Sequence, residues 1–230
     1  MKKLVLTVLL GMTTLVGFSQ IRWDAKLGMS MSNLTKIDPS GMKVGYTFGV
    51  GMDYAFTDTW ALQSGLMFSS KGYKYSEEAG GDKYTEKANA HYLEIPVLAA
   101  YKMDIADNMK FIVNAGPYFA VGLGGITSYS EEYSGDKDEW HGPKIFKKYD
   151  MPNGQGGTTS EAICKRFDMG LQYGVGLEIS DHYLVNLTGQ YGFINPYKND
   201  VYKLDADGDP TNETISPKNI SFYISVGYRF

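Results

Sequence analysis

The chain has 230 residues, a net charge of −4 at pH 7 and a single cysteine. The negative charge argues against nucleic-acid binding, which needs a basic surface. One cysteine excludes an internal disulfide framework and a cysteine-rich zinc site. A hydrophobic content of 43% with a mean hydropathy of −0.27 excludes a helical membrane protein, while 27 glycines and 18 tyrosines are too many for an ordinary helical domain.

Residues 1–19 have the three parts of a secretory signal peptide. A basic start and an apolar run over residues 4–16 precede Gly17 and Ser19, which suit a cleavage site after Ser19. The apolar run is shorter than the ~20 residues of a membrane-spanning helix, and no cysteine follows it as a lipidation site. We expect residues 20–230 to be exported as one domain. No later apolar run is long enough for a transmembrane helix, so this domain is either soluble or a membrane barrel.

Eight segments of the exported chain alternate apolar residues with polar or small ones, which is the period of a β-strand. The clearest is the last, where every second residue from Ile220 to Phe230 is apolar. In chain order the segments cover about 22–32, 44–56, 60–74, 89–102, 109–124, 166–179, 184–194 and 220–230.

The composition of the two strand faces distinguishes a membrane barrel from a soluble sandwich or lipocalin. A soluble barrel carries many lysines and glutamates on its outer face, whereas here the polar face is mostly Gly, Ser and Ala with few charges. Small residues suit the crowded lumen of a barrel of ~8 strands, and a bulky apolar face suits lipid. The sequence predicts an all-β fold, an eight-stranded antiparallel up-and-down transmembrane β-barrel closed by its first and last strands.

The connections between the predicted strands alternate in length. Short gaps at 57–59, 103–108 and 180–183 follow the second, fourth and sixth strands, and long gaps at about 33–42, 75–88, 125–165 and 195–217 follow the others. Short periplasmic turns and long outer loops are typical of outer-membrane barrels, so we expect this location in a Gram-negative bacterium.

Aromatic residues gather near both ends of the predicted strands, which favours two girdles at the membrane interfaces. We place Trp23, Phe56, Trp60, Tyr101, Phe111, Tyr183 and Phe230 at the short-turn end, and Tyr46, Tyr73, Tyr92, Phe167 and Phe193 at the long-loop end.

Four short stretches share features with a known family: residues 92–97 (Tyr-Leu-Glu-Ile-Pro-Val), residues 25–30 and 32–34 of the first strand, and residues 226–230, which end on an aromatic. They resemble the PorT-like outer-membrane β-barrel family of Bacteroidetes-type bacteria. The resemblance implies the barrel fold and the outer-membrane location, and Tyr228 and Phe230 would belong to the signal read by the outer-membrane assembly machinery. It implies no catalytic residues, because members of the family differ in activity.

The polar face of the strands places four bases and five acids in the lumen. Buried charges need partners, so we expect a network of salt bridges with Glu94 as its centre and Lys26 and Arg229 as its partners. This network would act as a rigid plug or, alternatively, as a selective conduction path. The nine residues are Arg22, Asp24, Lys26, Asp53, Lys71, Glu94, Asp168, Glu178 and Arg229.

The three histidines give weak support for an enzyme. Lipid hydrolysis would need a histidine beside a serine and an acid on one rim. His91 is in phase with outward residues, His141 lies in the third long gap, and His182 lies in a short turn on the opposite side. We expect no enzymatic activity and no cofactor.

An acidic segment in the fourth long gap is a weak calcium candidate. Asp205, Asp207 and Asp209 have the alternate spacing of oxygen ligands in a calcium loop. Pro210 and Ser216 stand where such a loop needs Gly and Glu, so a hydrated acidic turn is the expectation.

The third long gap is too long for a simple connection and favours recognition or covering of the barrel mouth. Gly154, Gly156 and Gly157 suggest flexibility in its second part. The expected function is a non-enzymatic scaffold whose outer loops bind a protein or glycan, such as a member of an envelope or secretion assembly. A narrow porin for small solutes is the alternative.

Overall fold

The computed structural model describes residues 21–37, 40–133, 136–152, 158–199, 201–204 and 210–230. The predicted signal peptide (1–19), the three glycines of the third gap and the three aspartates of the calcium candidate lie outside these residues. The strands are β1 (Ile21–Leu34), β2 (Ser40–Gly41), β3 (Lys43–Ala55), β4 (Trp60–Ala79), β5 (Asp82–Ala106), β6 (Met109–Tyr133), β7 (Asp136–Lys144), β8 (Lys148–Pro152), β9 (Thr158–Ala162), β10 (Phe167–Ile179), β11 (Tyr183–Gly192), β12 (Val201–Leu204), β13 (Pro210–Ile215) and β14 (Asn219–Arg229).

Eight of these strands form a closed antiparallel ring in the order β1, β3, β4, β5, β6, β10, β11 and β14. The ring closes between β1 and β14, whose register runs from Asp24 opposite Arg229 to Leu34 opposite Asn219. All eight predicted segments fall on these strands, so the predicted eight-stranded barrel is confirmed.

The two faces of the ring have opposite chemistry. Apolar side chains point outward, and Leu27 and Phe48 are 64% and 50% exposed. Charged side chains point inward, and Lys71 and Arg229 are each only 1% exposed. Such an inverted distribution suits a barrel that contacts lipid with its outer wall and encloses a polar interior. Among the described residues, no helix is long and apolar enough to cross a membrane.

The connections at one end of the barrel are short, as predicted. The strand pairs β3–β4, β5–β6 and β10–β11 are joined by residues 56–59, 107–108 and 180–182. Asn108, Ser180 and Asp181 have φ values of 60°, 52° and 60°, which a tight turn requires. We refer to this end as the turn end.

The opposite end is more ordered than predicted, because the gap at 75–88 is not a loop. Strands β4 and β5 continue through it as a hairpin that turns at Gly80 and Gly81, whose φ values are 63° and 95°. Positive φ at both central residues is the geometry of a two-residue hairpin turn, and glycine adopts it without steric cost.

The third gap also contains regular structure. Strand β6 continues to Tyr133 and pairs with β7, and β8 pairs with β9. The extensions of β4, β5 and β6 together with β7 make a four-stranded sheet beyond the ring, which we call the outer sheet (74–79, 82–88, 126–133 and 136–144). The fourth gap likewise contains the β12–β13 hairpin.

Candidate functional site

The lumen at the turn end contains a network of ion pairs centred on Arg229. The guanidinium group of Arg229 contacts Glu178 through Nη1, and its Nη2 lies 3.3 Å from Asp53 Oδ2 and 4.0 Å from Asp24 Oδ2. These three carboxylates come from β10, β3 and β1, so a single side chain on β14 connects four strands.

Each of the three carboxylates also has a second cation. Lys102 Nζ lies 2.6 Å from Asp53 Oδ1, Arg22 Nη1 lies 3.0 Å from Glu178 Oε1, and Lys26 Nζ lies 3.1 Å from Asp24 Oδ1. Gly51 makes room for this arrangement, because a Cβ atom there would lie 2.2 Å from Asp24 Oδ1. The network is therefore redundant: no carboxylate depends on one partner alone.

A second charged group lies toward the long-loop end. Lys71 Nζ lies 2.9 Å from Glu94 Oε1, and both side chains are almost completely buried. The ammonium group also lies 4.5 Å from the ring centroid of Tyr118 and 5.5 Å from that of Tyr92, within the range of a cation–π contact. The predicted partners of Glu94 are therefore wrong. Lys26 and Arg229 belong to the network at the turn end.

Hydrogen bonds extend this second group across the lumen. Gln190 Nε2 donates to Glu94 Oε2 at 2.9 Å, and the Tyr223 hydroxyl donates to Gln190 Oε1 at 2.9 Å. Asp168 accepts from the Tyr118 hydroxyl and from Asn219 Nδ2, each at 3.0 Å. Together these contacts form a polar layer that crosses the barrel.

The structure places all nine predicted charges on the lumen side, and it adds Lys102. With Lys102 the set holds five bases and five acids. The signal for Lys102 was present in the sequence, because it is in phase with Glu94 along β5. The centre of the set is Arg229 rather than Glu94, since Arg229 reaches three carboxylates.

Cavities remain in the lumen between the described residues. A polar cavity of about 80 Å³ lies between the two charged groups and is lined by Gln63, Asn114 and Gln190 among others. A second cavity of about 220 Å³ lies above Lys71 at the barrel mouth, where Tyr73, Glu86 and Tyr197 line its wall.

The barrel mouth is capped by Ile145 and Phe146 from the third gap. Both side chains are buried, and the Phe146 ring meets the Tyr92 ring edge-on at 5.8 Å. Arg166 fixes the cap, because its guanidinium group donates to the carbonyl oxygens of Gly122 and Phe146 at 2.7 and 3.3 Å. Cys164 packs against this cluster, and burial raises the pKa of its thiol to about 12.

Tyr92 is therefore wrongly assigned to the aromatic girdle. It is 3% exposed and faces the lumen, in phase with Glu94, and Tyr73 likewise turns inward to donate to Glu86. The predicted girdle residues Trp23, Tyr46, Phe56, Trp60, Tyr101, Phe111 and Phe167 lie on the outer wall, where Phe111 is half-buried and the others are exposed. Tyr228 and Phe230 are exposed at the turn end beside Tyr183.

The three histidines lie in different surroundings. His91 faces outward and stacks on Phe68 at 5.6 Å, while His182 Nδ1 lies 2.8 Å from the carbonyl oxygen of Arg229 at the turn end. His141 Nδ1 lies 3.3 Å from Ser128 Oγ on the outer sheet. Within the described ranges, no carboxylate hydrogen-bonds His141, and no cluster of three or more His, Cys, Asp or Glu could hold a metal.

The family model of the outer membrane protein beta-barrel domain matches residues 18–197. The chain belongs to this family. Its location is the outer membrane of a Gram-negative bacterium, its apolar wall contacts the membrane lipid, its turn end faces the periplasm and its outer sheet is extracellular. The comparison with curated proteins found no match.

Solved structures similar to this outer-membrane barrel include small barrels with different roles. The attachment invasion locus protein Ail of Yersinia pestis has 14% identity and a TM-score of 0.36, with 91% of this chain and 98% of that chain covered. Neisserial surface protein A has 13% identity and a TM-score of 0.38, with 92% and 98% covered. The outer membrane enzyme PagL has 10% identity and a TM-score of 0.37, with 88% and 97% covered.

Proposed function

We propose that this outer-membrane barrel is a non-enzymatic, non-conducting scaffold that presents its extracellular structure to a partner. One observation carries the proposal: the lumen is crossed at three levels. The Arg229 network closes the periplasmic end, the Lys71–Glu94 layer crosses the middle, and Ile145 with Phe146 caps the mouth. The polar cavity of about 80 Å³ has room for only a few water molecules, and the cavity of about 220 Å³ lies between Lys71 and the cap.

The resemblance of residues 92–97 and 226–230 to the PorT-like proteins supports a more specific role in a cell-envelope or secretion assembly. In that role the assembly machinery of the outer membrane would recognise Tyr228 and Phe230 during insertion, and the extracellular strands would contact a protein or glycan of the assembly.

Planar-bilayer recording distinguishes the scaffold from the alternative, a narrow porin. The purified barrel is expected to give no stable openings. The double variant Arg229→Met, Glu94→Gln removes one charge from each charged group and serves as a positive control for a weakened plug. Stable, ion-selective openings of the unmodified protein would contradict the scaffold and favour the porin.

Lipid turnover tests the absence of enzymatic activity. Among the described residues, Ser128 and His141 form the one hydrogen bond between a serine and a histidine side chain, and no carboxylate there completes a catalytic triad. Cells with the unmodified protein and cells with His141→Ala or His91→Ala are expected to have the same lipid A and phospholipid composition. A product that disappears only in one histidine variant would identify an enzyme.

A further inference from the structure

The two faces of the outer sheet differ sharply in composition. Antiparallel residues that are directly paired share a face, so the register assigns every side chain of the sheet to one side. One face carries an aromatic residue on each strand together with six carboxylates, and no Lys, Arg or His among the described residues. Its members are Tyr75, Glu77, Asp82, Tyr84, Glu86, Tyr129, Glu131, Tyr133, Asp136, Asp138 and Trp140. We call this the aromatic face.

The aromatic rings form a continuous row across all four strands. Tyr75 and Tyr84 lie 6.4 Å apart, Tyr84 stacks on Tyr129 at 6.4 Å, and Tyr129 stacks on Trp140 at 5.6 Å between ring centroids. Trp140 is exposed and the three tyrosines are partly exposed. Nearby carboxylates affect these rings: burial and the charge of Glu86 raise the pKa of Tyr84 and of Tyr129.

The carboxylates of the aromatic face have no compensating cations in their own row. Glu77 pairs with Tyr84, Tyr84 pairs with Glu131, and Glu131 lies directly opposite Asp138. Like charges in directly opposed positions destabilise a sheet. The carboxyl groups of Glu77, Glu131 and Asp138 are exposed, so they are available to a ligand.

The opposite face shows that the same strands can balance their charges. One residue further along each strand, Glu78 pairs with Lys83, Lys83 pairs with Glu132, and Glu132 pairs with Lys137. This row alternates in sign across the sheet. The unbalanced row is therefore confined to the side that also carries the aromatic rings.

We propose that the aromatic face is the docking surface for a Lys/Arg-rich segment of a partner protein. Cations are attracted both to carboxylates and to aromatic rings, and a guanidinium group stacks on a ring while it hydrogen-bonds an adjacent carboxylate. The exposed strand β7 lies at the edge of the outer sheet, so an extended segment could also pair with it. This proposal deepens the proposed scaffold function, since it names the chemistry of the partner.

The test uses the full barrel in lipid nanodiscs and a fluorescent Lys/Arg-rich peptide, with binding followed by anisotropy. The triple variant Glu77→Gln, Glu131→Gln, Asp138→Asn is expected to weaken binding by at least about tenfold, because three rim charges are lost. The matched control Glu78→Gln, Glu132→Gln, Glu139→Gln changes the net charge by the same amount on the opposite face. Its affinity for the peptide is expected to stay within about twofold of that of the unmodified protein. The Trp140→Ala variant should weaken binding by about two- to fivefold through the lost cation–π contact.

Three results would overturn the docking surface: equal losses in both triple variants, no binding by the unmodified protein, or stronger binding of an acidic peptide or a sulfated saccharide. The difference between unboiled and boiled samples on a gel verifies that each variant is folded. A barrel that stays silent in bilayers and binds no basic peptide would refute this surface and leave the scaffold intact. A barrel that conducts ions and binds the peptide would refute the non-conducting scaffold and support this surface.

Discussion

The two charged groups in the lumen satisfy their buried ions in different ways. At the periplasmic end, Arg229 is shared by three carboxylates, each of which has a further cation. In the middle of the barrel, Lys71 and Glu94 are each other's only ion-pair partner among the described residues, and rings and amides supply the other contacts. The first arrangement tolerates the loss of a partner, whereas the second does not.

The largest effect is expected from Glu94→Gln. This substitution leaves the buried ammonium group of Lys71 without an ion-pair partner, which costs about 3–5 kcal/mol of unfolding free energy. The loss of unfolding free energy is measured by urea titration, in which the folded fraction is read from the gel shift between unboiled and boiled samples. The double variant Glu94→Gln, Lys71→Met removes the stranded charge and should recover most of it. An unchanged urea midpoint in the single variant would show that Lys71 finds another partner or water.

A smaller effect is expected from Arg229→Met, although Arg229 makes more contacts than Glu94. Lys102, Arg22 and Lys26 remain beside Asp53, Glu178 and Asp24, so the expected loss is about 1–3 kcal/mol. The same urea titration gives the comparison. A loss that exceeds that of Glu94→Gln would mean that the three lysine and arginine side chains do not compensate, and the contrast between the two groups would fail.

The smallest effect on the free energy of unfolding is expected from Phe146→Ala, because Phe146 belongs to the cap and lies outside the ring of strands. At neutral pH the thiol of Cys164 should react slowly, since burial raises its pKa to about 12, and alkylation should accelerate as the pH rises. Loss of the cap should increase the alkylation rate severalfold while the urea midpoint changes little. Urea-unfolded protein provides the rate for a fully accessible thiol. Equal rates in the folded and unfolded states would refute a closed mouth.

The sequence was sufficient for the barrel and for the side on which each charge lies, because both depend on alternation with a period of two. The ion-pair partners depend on the stagger between strands, which alternation does not specify. Lys71 pairs in register with Ala90, four residues from Glu94, yet its long side chain reaches the Glu94 carboxylate. No pattern within either strand indicates this contact.

The prediction that Tyr92 belongs to the aromatic girdle failed for a different reason. The phase of Tyr92 with Glu94 predicts an inward side chain, but its residue type favours the membrane interface, and the phase proved decisive. The outer hairpin was missed because residues 74–78 and 83–87 are polar on both sides, so their alternation is hidden. The Gly80–Gly81 dipeptide was the available signal, since paired glycines are typical of a two-residue hairpin turn.

Closure of the ring and completion of the ion-pair network depend on the same strand. Strand β14 supplies hydrogen bonds to both β1 and β11, and it also carries Arg229. The other cations of the network, Lys26, Arg22 and Lys102, lie on β1 and β5. The strand that seals the wall therefore also supplies the one cation that Asp24, Asp53 and Glu178 share.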